Sequence, residues 1–253
     1  MTNVNSQKGL TKHDIIQGLK IIGLSQGMFV EVHGSLSSFG YVEGGANTII
    51  YSLMDVVGEE GAIVMSTFPM SLPQELNEID IKRGLTCKIK IFPPDSDERS
   101  GMGIISDTFR KMPDVLTGIN RHRVSAWGKD KDKNCQGLSN LIENDGRALL
   151  LGVDIYKLTS MHYVESKLPE EVRNIFKPSD EILKYYPADQ WYIETGNPPV
   201  KAWYKIQDEA YKKGYIIDHK IGNSKCMFFK IRNVIGLYEE AIDKDPLGLY
   251  GLK

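Results

Sequence analysis

The chain has few cysteines. Cys87, Cys135 and Cys226 are an odd number at wide spacing in 253 residues, which argues against a disulfide framework. No cysteine and histidine cluster has the spacing of zinc ligands, so no metal site is expected. No run approaches the ~20 apolar residues of a membrane span. The first eight residues, Met1 to Lys8, lack the apolar stretch of a signal peptide. Neither sign of charge dominates: 31 Lys and Arg face 33 Asp and Glu, a net charge of −2. That excludes the basic surface that bulk nucleic-acid binding needs. It also removes any broad acidic field, so a cationic substrate must be met by local carboxylates. Repeats and low-complexity tracts are absent as well. What remains is an ordinary globular composition, 41% hydrophobic and 25% charged, expected to work in a reducing cytoplasm.

The periodicities that are present alternate between helix and strand. Thr11 and Asp14 make a capping box with Asp in place of Glu, followed by Ile15, Ile16, Leu19 and Ile22 at helical spacing. Met28 to His33 reads as a strand, Asn47 to Val57 as a helix and Ala62 to Ser66 as a strand, together a βαβ unit. Gly103 to Met112 is helical and stops at Pro113. Ala148 to Val153 is a buried strand, Ile206 to Gly214 a helix, Met227 to Ile231 a strand and Val234 to Asp243 a last helix. Residues 69–100 carry few periodic signals, and Pro93 to Ser100 is a loop by composition. Lys184 to Tyr204, rich in Tyr, Trp and Pro, reads as a β-ribbon or a covering loop. The expectation is a single α/β core over residues 1–253, with irregular insertions near 69–100 and 166–205.

Two segments carry chemistry. After the strand at 148–153 comes Thr159-Ser160-Met161-His162-Tyr163-Val164-Glu165. Thr159 or Ser160 is placed to cap a helix. His162 and Glu165 then share one face, and a carboxylate beside an imidazole fixes its tautomer and raises its basicity, as a general base requires. The same spacing also occurs as an ordinary surface pair. The second segment is Gly34-Ser35-Leu36-Ser37-Ser38-Phe39-Gly40, between a strand and the helix opened by Gly44-Gly45-Ala46. Backbone N–H groups and a helix N-terminus favour anions there. It is neither a Walker loop nor G-x-G-x-x-G. His33 is either a structural hydrogen-bonding histidine or a residue of that site.

In order along the chain, Gly23–Met28, His33–Gly40 with Gly44-Gly45, Leu53–Val57, Glu60–Met65, Gly101–Gly103 with Phe109-Arg110, Ala126–Gly128, Thr159–Glu165 and Lys220–Cys226 resemble the aminoglycoside 3-N-acetyltransferase family. The resemblance covers most of the chain and implies that family's α/β fold, distinct from the GNAT fold. It implies acetyl-CoA as co-substrate and an amine acceptor, with His162 as base, Glu165 orienting it and Thr159 donating to the oxyanion or the thioester oxygen. It places the donor at His33, Ser35, Leu36, Ser37, Ser38, Phe39 and Gly40, with Ser100 and Met102 in the same channel. Asp95, Asp97, Glu98 and Asp107 are the carboxylates expected to meet a cationic acceptor.

One stretch departs from the family. Between Val115 and Ala126 the chain is one residue shorter than the usual pattern, and the family histidine falls near Asn120, with His122 either its substitute or part of a local turn. The donor and reaction therefore carry over better than the antibiotic. The expected partner is a small-molecule amine, an aminoglycoside or an amino sugar of a surface glycan or secondary metabolite, with a homodimer compatible and neither nucleic acid nor membrane expected. The competing classes are a thiol-dependent hydrolase or acyl carrier using Cys226 with a histidine, and a glycan-binding protein without catalysis.

Overall fold

The computed structural model describes residues 9–93, 96–119, 123–175, 177–196 and 200–253. Pro94, Asp95, Asn120 and His122 lie outside them. Ten strands order the described chain: β1 (Phe29–Gly34), β2 (Ala62–Ser66), β3 (Met70–Pro73), β4 (Leu85–Ile91), β5 (Leu116–Thr117), β6 (Val124–Gly128), β7 (Arg147–Leu151), β8 (Trp191–Thr195), β9 (Ile217–Ile221) and β10 (Ser224–Lys230). Seven form the central sheet in the order β5-β6-β2-β1-β7-β10-β9, and β3-β4-β8 form a second, small one. β2, β1 and β7 run parallel, with Val30 opposite Arg147 and Gly34 opposite Leu151. The flanking strands are antiparallel.

Strand alternation sorts the core into two layers. Val30 and Val32 join Ile15, Leu19, Ile49, Ile50 and Leu53 on one face, under helices Lys12–Ile21 and Gly45–Val57. Ile49, Ile50 and Leu53 fall on one helical stripe, and burying each contributes roughly 1.5–3 kcal/mol. Ala148 and Leu150 face the other way, with Met161, Trp203, Ile231 and Tyr238, under helices Val200–Lys212 and Ile231–Lys244. On β1 the same alternation sends Glu31 and His33 towards that second layer. The Thr11–Asp14 capping box is present in both directions, Thr11 N to Asp14 Oδ2 at 2.9 Å and Asp14 N to Thr11 Oγ1 at 3.2 Å.

The insertions are more ordered than their composition suggests. The stretch after Pro69, which carries few periodic signals, contains β3, the short helix Glu78–Lys82 and β4. The stretch read as ribbon or covering loop supplies β8, which pairs antiparallel with β4. Leu85, Tyr186 and Ile193 form the core of this small sheet. Asp80, buried beneath, accepts from Tyr186 Oη (2.6 Å) and Lys88 Nζ (3.0 Å). The helix expected to start at Ile206 begins at Val200, and a short helix Pro246–Tyr250 follows the one read as last. No helix among the described residues is long and apolar enough to cross a membrane.

Candidate active site

β1 lies between β2 and β7, and the chain leaves it for β2 on one side and returns as β7 on the other. Such a switch point opens a crevice at the carboxyl ends of parallel strands. Three features meet there: His33 and the loop after β1, Ser66 at the end of β2, and the turns after β7. The loop is a 3₁₀ turn, Leu36–Phe39, tied to β7 by Ser35 N to Leu151 O at 2.9 Å. Ser38 Oγ donates to Ser35 O at 2.6 Å and meets Ser224 Oγ at 2.8 Å. Gly152 makes this approach possible. Its φ is +68°, and a Cβ there would lie 1.9 Å from Ser38 Oγ. Phe39 is buried in the core, while Ser37 is exposed with its hydroxyl 3.0 Å from Ser35 Oγ. A groove of about 400 Å³ borders Ser38, Gly152, Asp154, Tyr211 and Lys225.

His162 and Glu165 come together as their spacing predicts, His162 Nδ1 to Glu165 Oε2 at 2.7 Å. His162 is exposed and Glu165 half-buried. Thr159 and Ser160 do not cap the turn with their side chains, contrary to the sequence expectation. A 3₁₀ turn, Thr159–Met161, leads into the single helical turn His162–Glu165. Its amides are satisfied from another element: Glu31 Oε1 accepts from Thr159 N (2.9 Å) and Ser160 N (3.2 Å). The same oxygen is 2.8 Å from His33 Nε2. Thr159 Oγ1 is thereby released for Ser66 Oγ, 2.5 Å away.

The remaining candidates separate. Ser100 is buried, its Oγ donating to Phe68 O (2.9 Å) and accepting from Met102 N (3.2 Å). The turn that follows brings Gly103 beside the Gly34 carbonyl at the root of the loop. Asp107 is buried with both oxygens engaged, Oδ1 by Ser100 N and Arg110 Nε and Oδ2 by Lys111 Nζ. Burial alone would raise its pKa, but these bonds outweigh it and hold the carboxyl below the usual range. Asp107 is thus the anchor of the 96–100 loop, not an acceptor-facing carboxylate. Asp97 and Glu98 are exposed on that loop, Glu98 3.8 Å from Lys90 Nζ.

Four features escaped the sequence reading. Glu31 is a charged residue inside an apolar strand, an exception that itself marks a special role. Ser66 gave no signal. Trp203, in the stretch expected as a β-ribbon or covering loop, stands edge-on to His162. Tyr192 Oη donates to Glu194 Oε1 at 2.7 Å on β8. Burial first, then the Glu194 charge, push its phenol upward, with Cys87 and Glu165 contributing. Glu194 and Asp154 likewise raise Tyr156, after burial. Tyr192, partly buried on β8, thus lies within electrostatic reach of both Glu194 and Glu165.

A profile of aminoglycoside 3-N-acetyltransferases matches residues 32–243. The prophage-derived aminoglycoside N(3')-acetyltransferase-like protein YokD of Bacillus subtilis is 34% identical, covering 91% of each chain. The chain belongs to the aminoglycoside 3-N-acetyltransferase family. The crystal structure of YokD superposes with a TM-score of 0.69 at 27% identity, over 94% of this chain and 95% of that one. Two more distant family structures share the fold. The aminoglycoside acetyltransferase AAC(3)-IVa in complex with gentamicin gives a TM-score of 0.72 at 20% identity, over 95% and 91% of the two chains. AAC-IIIb binary with CoASH gives 0.68 at 19% identity, over 94% and 97%. Within this family fold Cys226 is fully buried on β10, and burial raises its thiol. It is a core residue and not an accessible nucleophile.

Proposed function

We propose that the protein is an acetyl-CoA-dependent N-acetyltransferase acting on an amino group of an aminoglycoside or amino sugar, with His162 as general base. The observation that carries this reading is the 2.7 Å contact between His162 Nδ1 and Glu165 Oε2 beside the crevice of the parallel strands. With Nδ1 donating to the carboxylate, the basic lone pair of the neutral ring is on Nε2. His162 takes the proton of the attacking amine there, and Glu165 pairs with the imidazolium. Bound acetyl-CoA supplies an activated acetyl group. The nitrogen–carbonyl bond forms, the thioester carbon–sulfur bond breaks, and the proton held by His162 passes to the departing sulfur. The Thr159 hydroxyl, backed by Ser66, donates to the carbonyl oxygen as it gains charge.

The donor is assigned to the loop Ser35–Gly40, with His33 at its root and Ser100 and Met102 on the adjoining turn. Ser37 offers an exposed hydroxyl, while Ser38 and Phe39 act through the backbone because their side chains are engaged or buried. Lys225, at the groove that begins at Ser38, supplies positive charge for phosphate. The family structure described as binary with CoASH supports this donor, and the one in complex with gentamicin supports the acceptor class. Glu194 and Asp154 are the carboxylates assigned to acceptor ammonium groups, with Asp97 and Glu98 at the outer loop. A panel of aminoglycosides and amino sugars incubated with acetyl-CoA should release free thiol with at least one acceptor. Folded protein that shows a CoA thermal shift but releases thiol with no amine would overturn the transferase reading.

A further inference from the structure

Glu31 is fully buried in the middle of β1. Among the described residues its ion-pair partner is His33, and no lysine or arginine reaches it. A single oxygen, Oε1, receives His33 Nε2 (2.8 Å), Thr159 N (2.9 Å) and Ser160 N (3.2 Å). Its other oxygen and Ser160 Oγ are buried with no hydrogen-bond partner among the described residues. A carboxylate placed where the strand would accept an apolar side chain carries a desolvation cost. Its retention calls for a role that an apolar residue cannot fill.

The geometry defines that role. At 2.8 Å from a carboxylate oxygen, His33 Nε2 must carry its proton, since two lone pairs would repel. A neutral His33 then has its accepting lone pair on Nδ1. The Thr159 amide is 3.4 Å from the same Nε2, but a protonated nitrogen cannot accept, so this N–H belongs to Glu31. The carboxylate therefore does for the Thr159–Met161 turn what a capping side chain does elsewhere. It binds two separate pieces: the strand end that opens the loop Ser35–Gly40, and the turn that carries Thr159 and His162.

We propose that Glu31 is a positioning residue for acetyl transfer, fixing the Thr159–His162 turn to β1 and holding His33 in the Nε2–H tautomer at the root of the donor loop. The proposal rests on the reading of His162 as base and of that loop as donor site. It concerns how the base and Thr159 are registered against the donor, not which atoms react.

Two variants separate acceptor geometry from packing. Glu31→Gln keeps an oxygen able to accept all three N–H groups, whereas Glu31→Leu suits a strand interior and removes them. The expected result is a kcat of Glu31→Leu lowered on the order of tenfold to a hundredfold, the penalty of small misplacement. The CoA thermal shift should persist, and Glu31→Gln should recover much of the turnover. The ¹⁵N imidazole spectrum, assigned with His33→Gln, should show His33 as the Nε2–H tautomer in the wild type. Glu31→Leu turning over like the wild type would overturn the proposal, as would equal losses in both variants or a loss confined to donor KM. If neither variant folds, the wild-type spectrum still decides, because an Nδ1–H tautomer of His33 is incompatible with it. His162→Ala, assayed in parallel, tests the base separately: full activity there would sink the base assignment and leave the tautomer result standing.

Discussion

Trp203 stands edge-on to His162, with ring centroids 5.2 Å apart and planes at 65°. Its indole N–H donates to Tyr238 Oη at 3.3 Å, and Tyr238 meets the Tyr250 hydroxyl. An exposed imidazole is thus backed by a buried aromatic row from helices Val200–Lys212, Ile231–Lys244 and Pro246–Tyr250. Glu165 fixes one end of the ring and Trp203 its face. Trp203→Ala should destabilise by about 3–5 kcal/mol, the usual cost of emptying a large aromatic site. Trp203→Phe keeps an edge contact and loses one hydrogen bond, about 0.5–1.5 kcal/mol. Denaturant melts should resolve the two, and kcat should fall further in Trp203→Ala than in Trp203→Phe.

The proposed general base makes a sharper demand. His162→Ala removes an exposed side chain and should fold normally and bind CoA. Acetyl transfer should drop about 10²- to 10⁴-fold, the range of a positioned acid–base group. Glu165→Gln keeps the shape of the partner but not its charge, and the loss should be smaller. Thiol release under saturating donor checks both, and near wild-type turnover of His162→Ala would remove His162 from the mechanism.

Gly152 controls how close the post-β7 turn comes to the loop Ser35–Gly40, the proposed donor site. A methyl group there would meet Ser38 Oγ at 1.9 Å, at a φ of +68°. Gly152→Ala should therefore cost at least ~1–2 kcal/mol from the left-handed backbone alone. It should also push Ser38 away from Ser224. The expected readout is a lower Tm with a weakened CoA thermal shift. An unchanged CoA shift would separate the donor site from this contact.

Acid should loosen the 96–100 loop through Asp107. Its ordinary value is 3.8, and in the folded protein the carboxyl lies lower: burial opposes the shift, but the Ser100, Arg110 and Lys111 bonds prevail. A depressed folded value means the stabilisation is fully present above pH 3.8 and is lost as pH falls below it towards the folded pKa. Asp80, burial again outweighed, by Tyr186, Asn77 and Lys88, adds the same sign under the small sheet. Asp107→Asn should be less stable at pH 7 and show a shallower loss on acidification. Urea melts at a series of pH values give both slopes.

The carboxylates proposed to meet the acceptor divide by position. Glu194→Gln should raise the acceptor KM and weaken its salt dependence, since a local charge meets the cation. Neutralising Asp97 and Glu98 together should do less, because both are exposed and screened. The reverse ranking would return the acceptor to the 96–100 loop.

Local signals served the fold best where the partners are close in sequence. The Thr11–Asp14 box, β1, β2 and the His162–Glu165 pair each follow from periodicity or spacing within a few residues. The failures come from distance. β4 alternates Leu85, Cys87, Ile89 and Ile91, yet its partner β8 is far along the chain: Thr86 and Glu194, which bond across the pair, are 108 positions apart. No local pattern announces that pairing. Glu31 was visible as a charge in an apolar strand, but its target, the amides of Thr159 and Ser160, appears only once β1 and β7 are neighbours. Asp107 misled for the opposite reason. Its charge was read without Arg110 and Lys111, which take it up one helical turn away.

The small sheet has a consequence for engineering. Its three strands come from two separate insertions, 69–100 giving β3 and β4 and 166–205 giving β8. Leu85 from one and Tyr186 and Ile193 from the other share one apolar core, and Lys88 and Tyr186 share Asp80. Neither insertion has a stable surface without its counterpart. Grafting one of them into a relative would expose a half-core. A chimera that moves this wall between relatives must therefore transplant both segments as a cassette, with the Asp80 cluster travelling intact.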